Sequence, residues 1–388
     1  MLEALFSKLK RMDWLLTACM VALIAFGTTF IWSAGSARQG AFLQNIWYTY
    51  ACTAVLGLVI YFALALVDYR KVMDLLATPA YALSLLLLVA VLIFGANIYG
   101  GKRWLWFFQP SEVAKLAVII FIAHLVGPIG RESFKWFLAA GVAFGVPALL
   151  ILKEPDLGTA LALAPSVLAM LFAARVWIKG LVVLVFTGLL AAGLVLGTVY
   201  FAERQTDPDR KVEIYRRLPL KAHQIQRLRV FLFPDFDTHG AGYNPRQALI
   251  SIGSGSVHGK GLRKGELKAL GYLPPSVSMN DFIFAVVAEE SGFVGTLLLL
   301  SLFMGLLLST LRVAFFAHDD RGRLLSIGTA TLIFCHVYIN IAMSVGLMPI
   351  TGIPLPFISA GRTFLIVLMS ALGFVQSVNV HRNLENQI

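Results

Sequence analysis

The sequence predicts an all-α, polytopic membrane protein of about ten transmembrane helices, with one large extracytoplasmic loop between helices 7 and 8. Three observations carry this prediction. Of the 388 residues, 58% are hydrophobic and only 14% charged, where a soluble domain carries about 25% charged residues. The mean hydropathy is +0.79. The apolar residues also fall in long uninterrupted runs rather than short alternating ones, which selects helices over a barrel as the structure that satisfies its backbone in lipid.

The runs are Trp14–Trp32, Thr49–Val67, Ala80–Ala96, Val113–Val126, Trp136–Leu152, Leu157–Ala173, Gly180–Phe201, Phe282–Leu308, Leu324–Val345 and Ile358–Val380. The first is followed by no small-residue cleavage site and is expected to be a retained helix. Val113–Val126 is short, so its helix is expected to begin earlier, with its polar residues inside the bundle. Cys19, Cys52 and Cys335 lie inside apolar runs far apart; they suit small core residues and give neither a disulfide framework nor a metal site.

An even number of spans puts both termini on one side, and basic residues say which. With the termini cytoplasmic, the inner segments carry Lys8, Lys10, Arg11, Arg70, Lys71, Arg131, Lys135, Arg175, Lys179, Arg312, Arg321, Arg323 and Arg382. The short outer loops carry only Arg38, Lys102, Arg103 and Lys153. That is the bias of the positive-inside rule. Segment 202–280 is also basic, but loops beyond about 60 residues translocate regardless of charge, so it is placed outside. Its first part, Glu203 to Arg229, is strongly charged and suits amphipathic helix lying on the bilayer. Its second part, His239 to Gly271, is rich in Gly and Ser. The net charge of +11 is dispersed over loops, which points to membrane lipids and topology and to no nucleic acid.

Several charges stand where chemistry is possible. Asp281 opens the run N-D-F-I-F-A-V-V-A-E-E-S-G. Phe282–Leu308 would make roughly 40 Å of helix at about 1.5 Å per residue, against a hydrocarbon core of about 30 Å. Its upper turns are therefore expected to project outward or line a cavity. On an ideal helix Asp281 and Glu289 lie within roughly 80° of each other, with Glu290 pointing the opposite way. Asp281 above a wet cleft suits a general base; it equally suits a charge satisfying the helix dipole.

P-S-E-V-A-K puts Glu112 and Lys115 three residues apart on one helix face, either as a structural ion pair or as a cavity wall. G-G-K-R-W places Lys102 and Arg103 beside Trp104 and Trp106, where interfacial anchoring and phosphate binding are both open. In K-E-P-D-L-G-T, Lys153, Glu154 and Asp156 share a tight turn, and Asp156 suits a helix cap. Asp281, Asp156 and Glu289 are also a candidate oxygen-ligand set for a divalent cation, Mg or Mn. Gly253–Gly261, G-S-G-S-V-H-G-K-G, fails the Walker pattern, so no nucleotide is expected. Its amides and Lys260 remain able to meet an anionic headgroup. H-E-x-x-H, G-x-S-x-G and C-x-x-C are absent from the sequence, which removes the support for zinc hydrolysis, elbow-type nucleophiles and thiol redox.

Five strings in order, G-G-K-R-W…F-Q-P-S-E-V-A-K, E-P-D-L-G-T, G-A-G-Y-N…Q-A-L-I-S-I-G-S-G, N-D-F-I-F-A-V-V-A-E-E-S-G and G-I-P-L-P-F-I-S, resemble the SEDS family of bacterial cell-wall proteins. The rod-shape branch is nearer than the division branch, and the likeness spans residues 1–388 as a single domain. The resemblance implies a peptidoglycan glycosyltransferase of the cytoplasmic (inner) membrane. It would polymerise lipid II, release undecaprenyl pyrophosphate and work with a class B penicillin-binding protein, a transpeptidase. By motif match Asp281 falls on the family's essential outer-face aspartate, and Glu112, Lys115 and Asp156 on its important charged positions. Arg103, Lys115, Lys260 and Arg362 are the candidate pyrophosphate ligands. The start of the last helix, S-A-G-R-T with Ala360 and Arg362, departs from the family's S-Y-G-G-S. The competing expectations are a flippase for lipid-linked precursors and a non-catalytic scaffold for the penicillin-binding protein.

Overall fold

The computed structural model describes residues 2–35, 45–98, 101–105, 108–127, 134–154, 156–218, 220–265 and 274–382. Arg38, Trp106 and Arg131, which enter the charge and interface expectations, lie outside the described residues, as does the side chain of Lys102.

Each predicted apolar run contains a helix, though residues 358–361 at the start of the last run lie in the turn before it and Ala96 at the end of the third is strand. After a short N-terminal helix, α1 (Leu2–Lys10), come α2 (Trp14–Gly35), α3 (Ile46–Leu66) and α4 (Tyr69–Phe94). A two-stranded hairpin, β1 (Ala96–Ile98) and β2 (Gly101–Trp104), interrupts the all-α expectation. Then follow α5 (Pro110–Val126), α6 (Phe134–Lys153), α7 (Leu157–Ala173) and α8 (Ile178–Glu203). The outer segment folds as α9 (Pro208–Arg217), α10 (Ala222–Leu232), α11 (Tyr243–Ser254) and the single turn α12 (Pro275–Ser278). Three long helices complete the chain: α13 (Ile283–Phe315), α14 (Asp320–Ser344) and α15 (Arg362–His381).

Among the described residues, eight helices are long and apolar enough to cross a membrane: α2, α3, α4, α6, α8, α13, α14 and α15. The other two predicted spans, α5 and α7, have 17 residues each, roughly 25 Å at about 1.5 Å per residue. As expected, α5 starts ahead of Val113. Pro110 sits in its first turn, where a missing N–H costs nothing and φ is already helical.

The last two helices form the core. In α15, 89% of the most apolar window is buried and in α14 72%, against 6% for α8, which leaves α8 at the periphery facing lipid. Helix α15 packs against α3, α14 against α7 and α13, and α13 against α2. Cys19 and Cys335 are buried as expected, whereas Cys52 is exposed on α3.

Helix α13 is not the single straight rod that its length suggests. At Gly292 the backbone turns to φ 66°, ψ −161°, a region essentially reserved for glycine. The segment Gly255–Gly261 repairs the break. Phe293 and Val294 donate their amides to the carbonyls of Ser256 and Val257, at 2.9 and 3.1 Å. Lys260 and Gly261 donate theirs to the carbonyls of Glu289 and Glu290, both at 2.9 Å. The loop thus supplies the partners that an unbroken helix would have found in itself. This corrects the expectation of a headgroup cradle: these amides are used by the fold. It also corrects the projecting upper turns, because Ile283–Glu290 is buried throughout.

Candidate active site

The site is built on the turn that joins α14 to α15. Asn340, buried in α14, donates to the carbonyls of Asp281 (2.9 Å) and Ile353 (2.7 Å), tying the start of α13 to that turn. From the turn, Ser359 donates to the Asn280 carbonyl (2.7 Å), and the Ala360 amide reaches the Met279 carbonyl (3.0 Å). Asp281 is therefore not on the helix, as its sequence spacing from Glu289 implied. It lies in a turn ahead of α13 whose backbone is held from both sides. Beneath its carboxylate the chain passes as Gly352, at φ 75°, and a Cβ there would stand 3.5 Å from Asp281 Oδ2.

Helix α7 brings in the second carboxylate. Asp156 caps it, accepting from the Thr159 amide (3.2 Å) and hydroxyl (2.9 Å), with Gln109 Nε2 at 3.3 Å. The cap role foreseen for Asp156 is the local one, and it fixes the carboxylate in place. The hairpin and the outer segment bring two guanidiniums. Arg103 donates from Nε to the Glu154 carbonyl at 3.2 Å. Arg227, on α10, donates to the carbonyls of Ile350 (3.1 Å) and Thr351 (3.4 Å). These bonds tie α10 to the α14–α15 turn.

Arg103, Arg227, Asp156 and Asp281 lie within electrostatic reach of one another. Burial pushes the Asp281 carboxyl up to about 6; Arg227 and Arg103 pull it back and Asp156 adds to the rise. Its side chain remains partly open, so it is a base poised just below neutral pH with access to solvent.

The other predicted residues lie elsewhere. Lys115 is 1% exposed; its ammonium is 2.8 Å from Glu112 Oε2 and 2.9 Å from His336 Nε2, above the Phe364 ring. It stands within the bundle wall, away from any open surface. Lys260 pairs with Glu289 Oε1 at 3.0 Å, while Ser251 donates to the other oxygen. Glu290 does not point away from Glu289. A Cβ on Gly265 would lie 3.0 Å from Glu289 Oε2 and 3.3 Å from Glu290 Oε1, and Ser33 also donates to Glu290. Arg362 is exposed at the start of α15, on a cavity of about 260 Å³ that Thr53, Phe108 and Ile366 also line.

As a resident metal centre the set fits poorly. Asp156 is engaged by its cap and by Gln109, Glu289 is paired with Lys260, and no three His, Cys, Asp or Glu side chains gather to hold an ion among the described residues.

Two residues outside the sequence-derived set complete the site. One is Arg227. The other is Glu154, fully buried near Asp156, with neither carboxylate oxygen hydrogen-bonded among the described residues. Burial, then Asp156, push its carboxyl up to about 8 against the pull of Arg103.

A lipid-embedded bundle whose one end holds a carboxylate between two guanidiniums defines a multi-pass membrane protein with a charged site at the bundle's end. The chain belongs to the FtsW/RodA/SpoVE family of cell cycle proteins, whose pattern matches residues 13–384. It is 35% identical to the peptidoglycan glycosyltransferase MrdB of Escherichia coli K12 over 370 residues, 94% of this chain and 92% of that protein. Its fold matches a chain from a peptidoglycan synthase complex that coordinates polymerization and crosslinking, with a TM-score of 0.73 and 28% identity over 96% of this chain and 99% of that one. The rod shape determining protein RodA of Thermus thermophilus matches at a TM-score of 0.67 and 26% identity, covering 96% and 98% of the two chains.

Proposed function

We propose that this protein is a peptidoglycan glycosyltransferase that polymerises lipid II into glycan strands for cell elongation and rod shape. The observation that carries the reading is the setting of Asp281, a partly open carboxylate that burial raises to about 6 against the pull of Arg227 and Arg103. As base, Asp281 takes the proton from the acceptor sugar's 4-hydroxyl. That oxygen forms a bond to the donor's anomeric carbon as the carbon–oxygen bond to pyrophosphate breaks. The electron pair leaves on undecaprenyl pyrophosphate, whose developing charge Arg103 and Arg227 stabilise. A single displacement inverts an α-linked donor into a β-linkage. Lys115 and Lys260, each in an ion pair, act here by shaping the walls, and Arg362 stands exposed on the cavity of about 260 Å³. No step is assigned to a divalent cation.

The reading includes ten spans in the inner membrane, both termini cytoplasmic and segment 202–280 outside. Its support is the basic bias of the inner segments together with α5 and α7 as short spans. A class B penicillin-binding protein is the expected partner, on the strength of the likeness to a synthase complex. Purified protein given lipid II should yield glycan polymer, and its Asp281→Asn variant should not. A flippase would only equilibrate lipid II between leaflets, and a scaffold would keep cell-wall synthesis intact without Asp281.

A further inference from the structure

The end of the bundle opposite Asp281 carries a second site. Helix α13 leads from Ile283, beside Asp281, to Arg312 in its last turn, and there the C-terminal ends of α1, α13 and α15 border a cavity of about 670 Å³. Small-molecule sites are typically about 300–1,000 Å³. Lys10, Arg11, Arg312, Arg382, Asp13 and Phe316 line it.

The cavity has a built floor. Asn379 donates to the Arg11 carbonyl at 2.8 Å and Gln376 to the Asp13 carbonyl at 3.3 Å. Asp13 is itself buried, capping α2 through the amides of Leu15 and Leu16 and accepting from Ser309 at 2.6 Å. Arg312 sits 2.7 Å from Asp13 Oδ2, so those two charges cancel. No ion pair or hydrogen bond engages the side chains of Lys10, Arg11 and Arg382 among the described residues.

Basic residues at inner loops and helix C-termini have ordinary explanations in topology and in the helix dipole. The magnitudes leave a surplus, however. Three helix C-termini contribute roughly −0.5 charge each, which three unpaired cations exceed about twofold. Nor do those explanations account for a hollow lined by the cations and held open by a hydrogen-bonded turn. The rim adds a second requirement. Phe316 is 55% exposed, and on the same end of α13 Phe315 and Leu311 also stand out from the protein. A ligand that satisfies both features has an anionic head and apolar chains.

We infer that this cavity binds the phosphate headgroup of an anionic phospholipid, whose acyl chains lie along the exposed end of α13. The cations supply charge-assisted donors to the phosphodiester oxygens, and the bilayer position of the cavity delivers the ligand laterally. The site is separate from the glycosyltransferase reading, since it requires only that the bundle be embedded in lipid.

The test uses the full chain in detergent, with native mass spectrometry of added phosphatidylglycerol, cardiolipin, phosphatidylcholine or inorganic phosphate. Retention of the anionic lipids over phosphatidylcholine is expected. The Arg11→Gln/Arg382→Gln double variant should weaken that retention by roughly tenfold or more. An Arg210→Gln/Arg216→Gln control on α9 should not. Equal retention of anionic and zwitterionic lipid, or no change in the double variant, overturns the inference. Displacement of the lipid by equimolar inorganic phosphate overturns it too, by showing a phosphate site instead of a lipid site. Should the double variant fail to fold, Lys10→Gln is expected to lose retention severalfold while Arg382→Lys keeps it; unchanged retention in Lys10→Gln is then the overturning result.

Discussion

Two groups of charges sit in the same half of the bundle and are handled in opposite ways. Glu112 and His336 each stand within 3 Å of the Lys115 ammonium inside the helices, with Phe364 against it. Asp281, Asp156, Arg103 and Arg227 sit where α7, the hairpin, α10 and the α14–α15 turn meet. Each guanidinium instead donates to backbone carbonyls, and Asp156 is held by its cap. The first group is neutralised internally, so its geometry serves the bundle. The second keeps its field available to whatever enters. Burial alone therefore does not separate structural from chemical charge; the first group closes on itself around a buried ammonium, whereas in the second the Asp281 side chain stays partly open.

The largest effect is expected from Asp281→Asn. Removing a positioned base should slow glycan polymerisation by about 10²–10⁴-fold with thermal unfolding unchanged, because the backbone of the turn is held by Asn340 rather than by the carboxylate. In the parent, polymerisation should fall as pH drops through about 6, where the carboxyl takes up its proton. A variant within a few-fold of the parent would remove the chemical role.

The paired group predicts the reverse pattern. Glu112→Gln leaves a buried ammonium without its counter-ion and should cost about 3–5 kcal/mol of stability, whereas Glu112→Gln combined with Lys115→Met should recover most of it. Denaturant unfolding reads both. Lost polymerisation at full stability would instead place Glu112 in the chemistry.

Arg227→Gln comes next, with a loss of roughly 10²-fold in polymerisation, the effect of deleting one pre-placed donor to a developing anion. It contacts Ile350 and Thr351 only through their backbone carbonyls, so the fold should persist, which circular dichroism checks. An unchanged rate would leave Arg103 as the sole cation opposite Asp281.

These residues differ in how far the sequence discloses them. Asp156 is readable because a cap acts within one turn of its own helix, and α7 does begin at the next residue. The early start of α5 follows equally from Pro110. Arg227 is not readable: within Glu203–Arg229 it is one basic residue among many, and only the distant carbonyls of Ile350 and Thr351 distinguish it. Glu154, between Lys153 and Asp156, looks like a solvated turn residue until the hairpin and α7 close around it. The break at Gly292 is hidden for a similar reason. Glycine is common in membrane helices, and its consequence depends on Gly255–Gly261 arriving from some 35 positions upstream to repair the ladder.

Glu154 offers the finest test of the comparison, since it is buried like the first group yet adjoins the second. In the folded chain its carboxyl is raised to about 8 from an ordinary 4.5 by burial and by Asp156. Between these two values unfolding releases a proton. The stability that Glu154 contributes is thus fully present below about 4.5 and is lost as pH rises through about 8. Glu154→Gln cannot titrate, so its melting temperature should vary less across that window and exceed the parent's above pH 8. The expected gain is a few degrees, about the effect of 1 kcal/mol in a chain of this size. Polymerisation near neutral pH should change little, because the neutral amide mimics the protonated acid already present there. If the two melting profiles run parallel, Glu154 is ionised in the fold, and the field around Asp281 contains one more negative charge than the described geometry assigns to it.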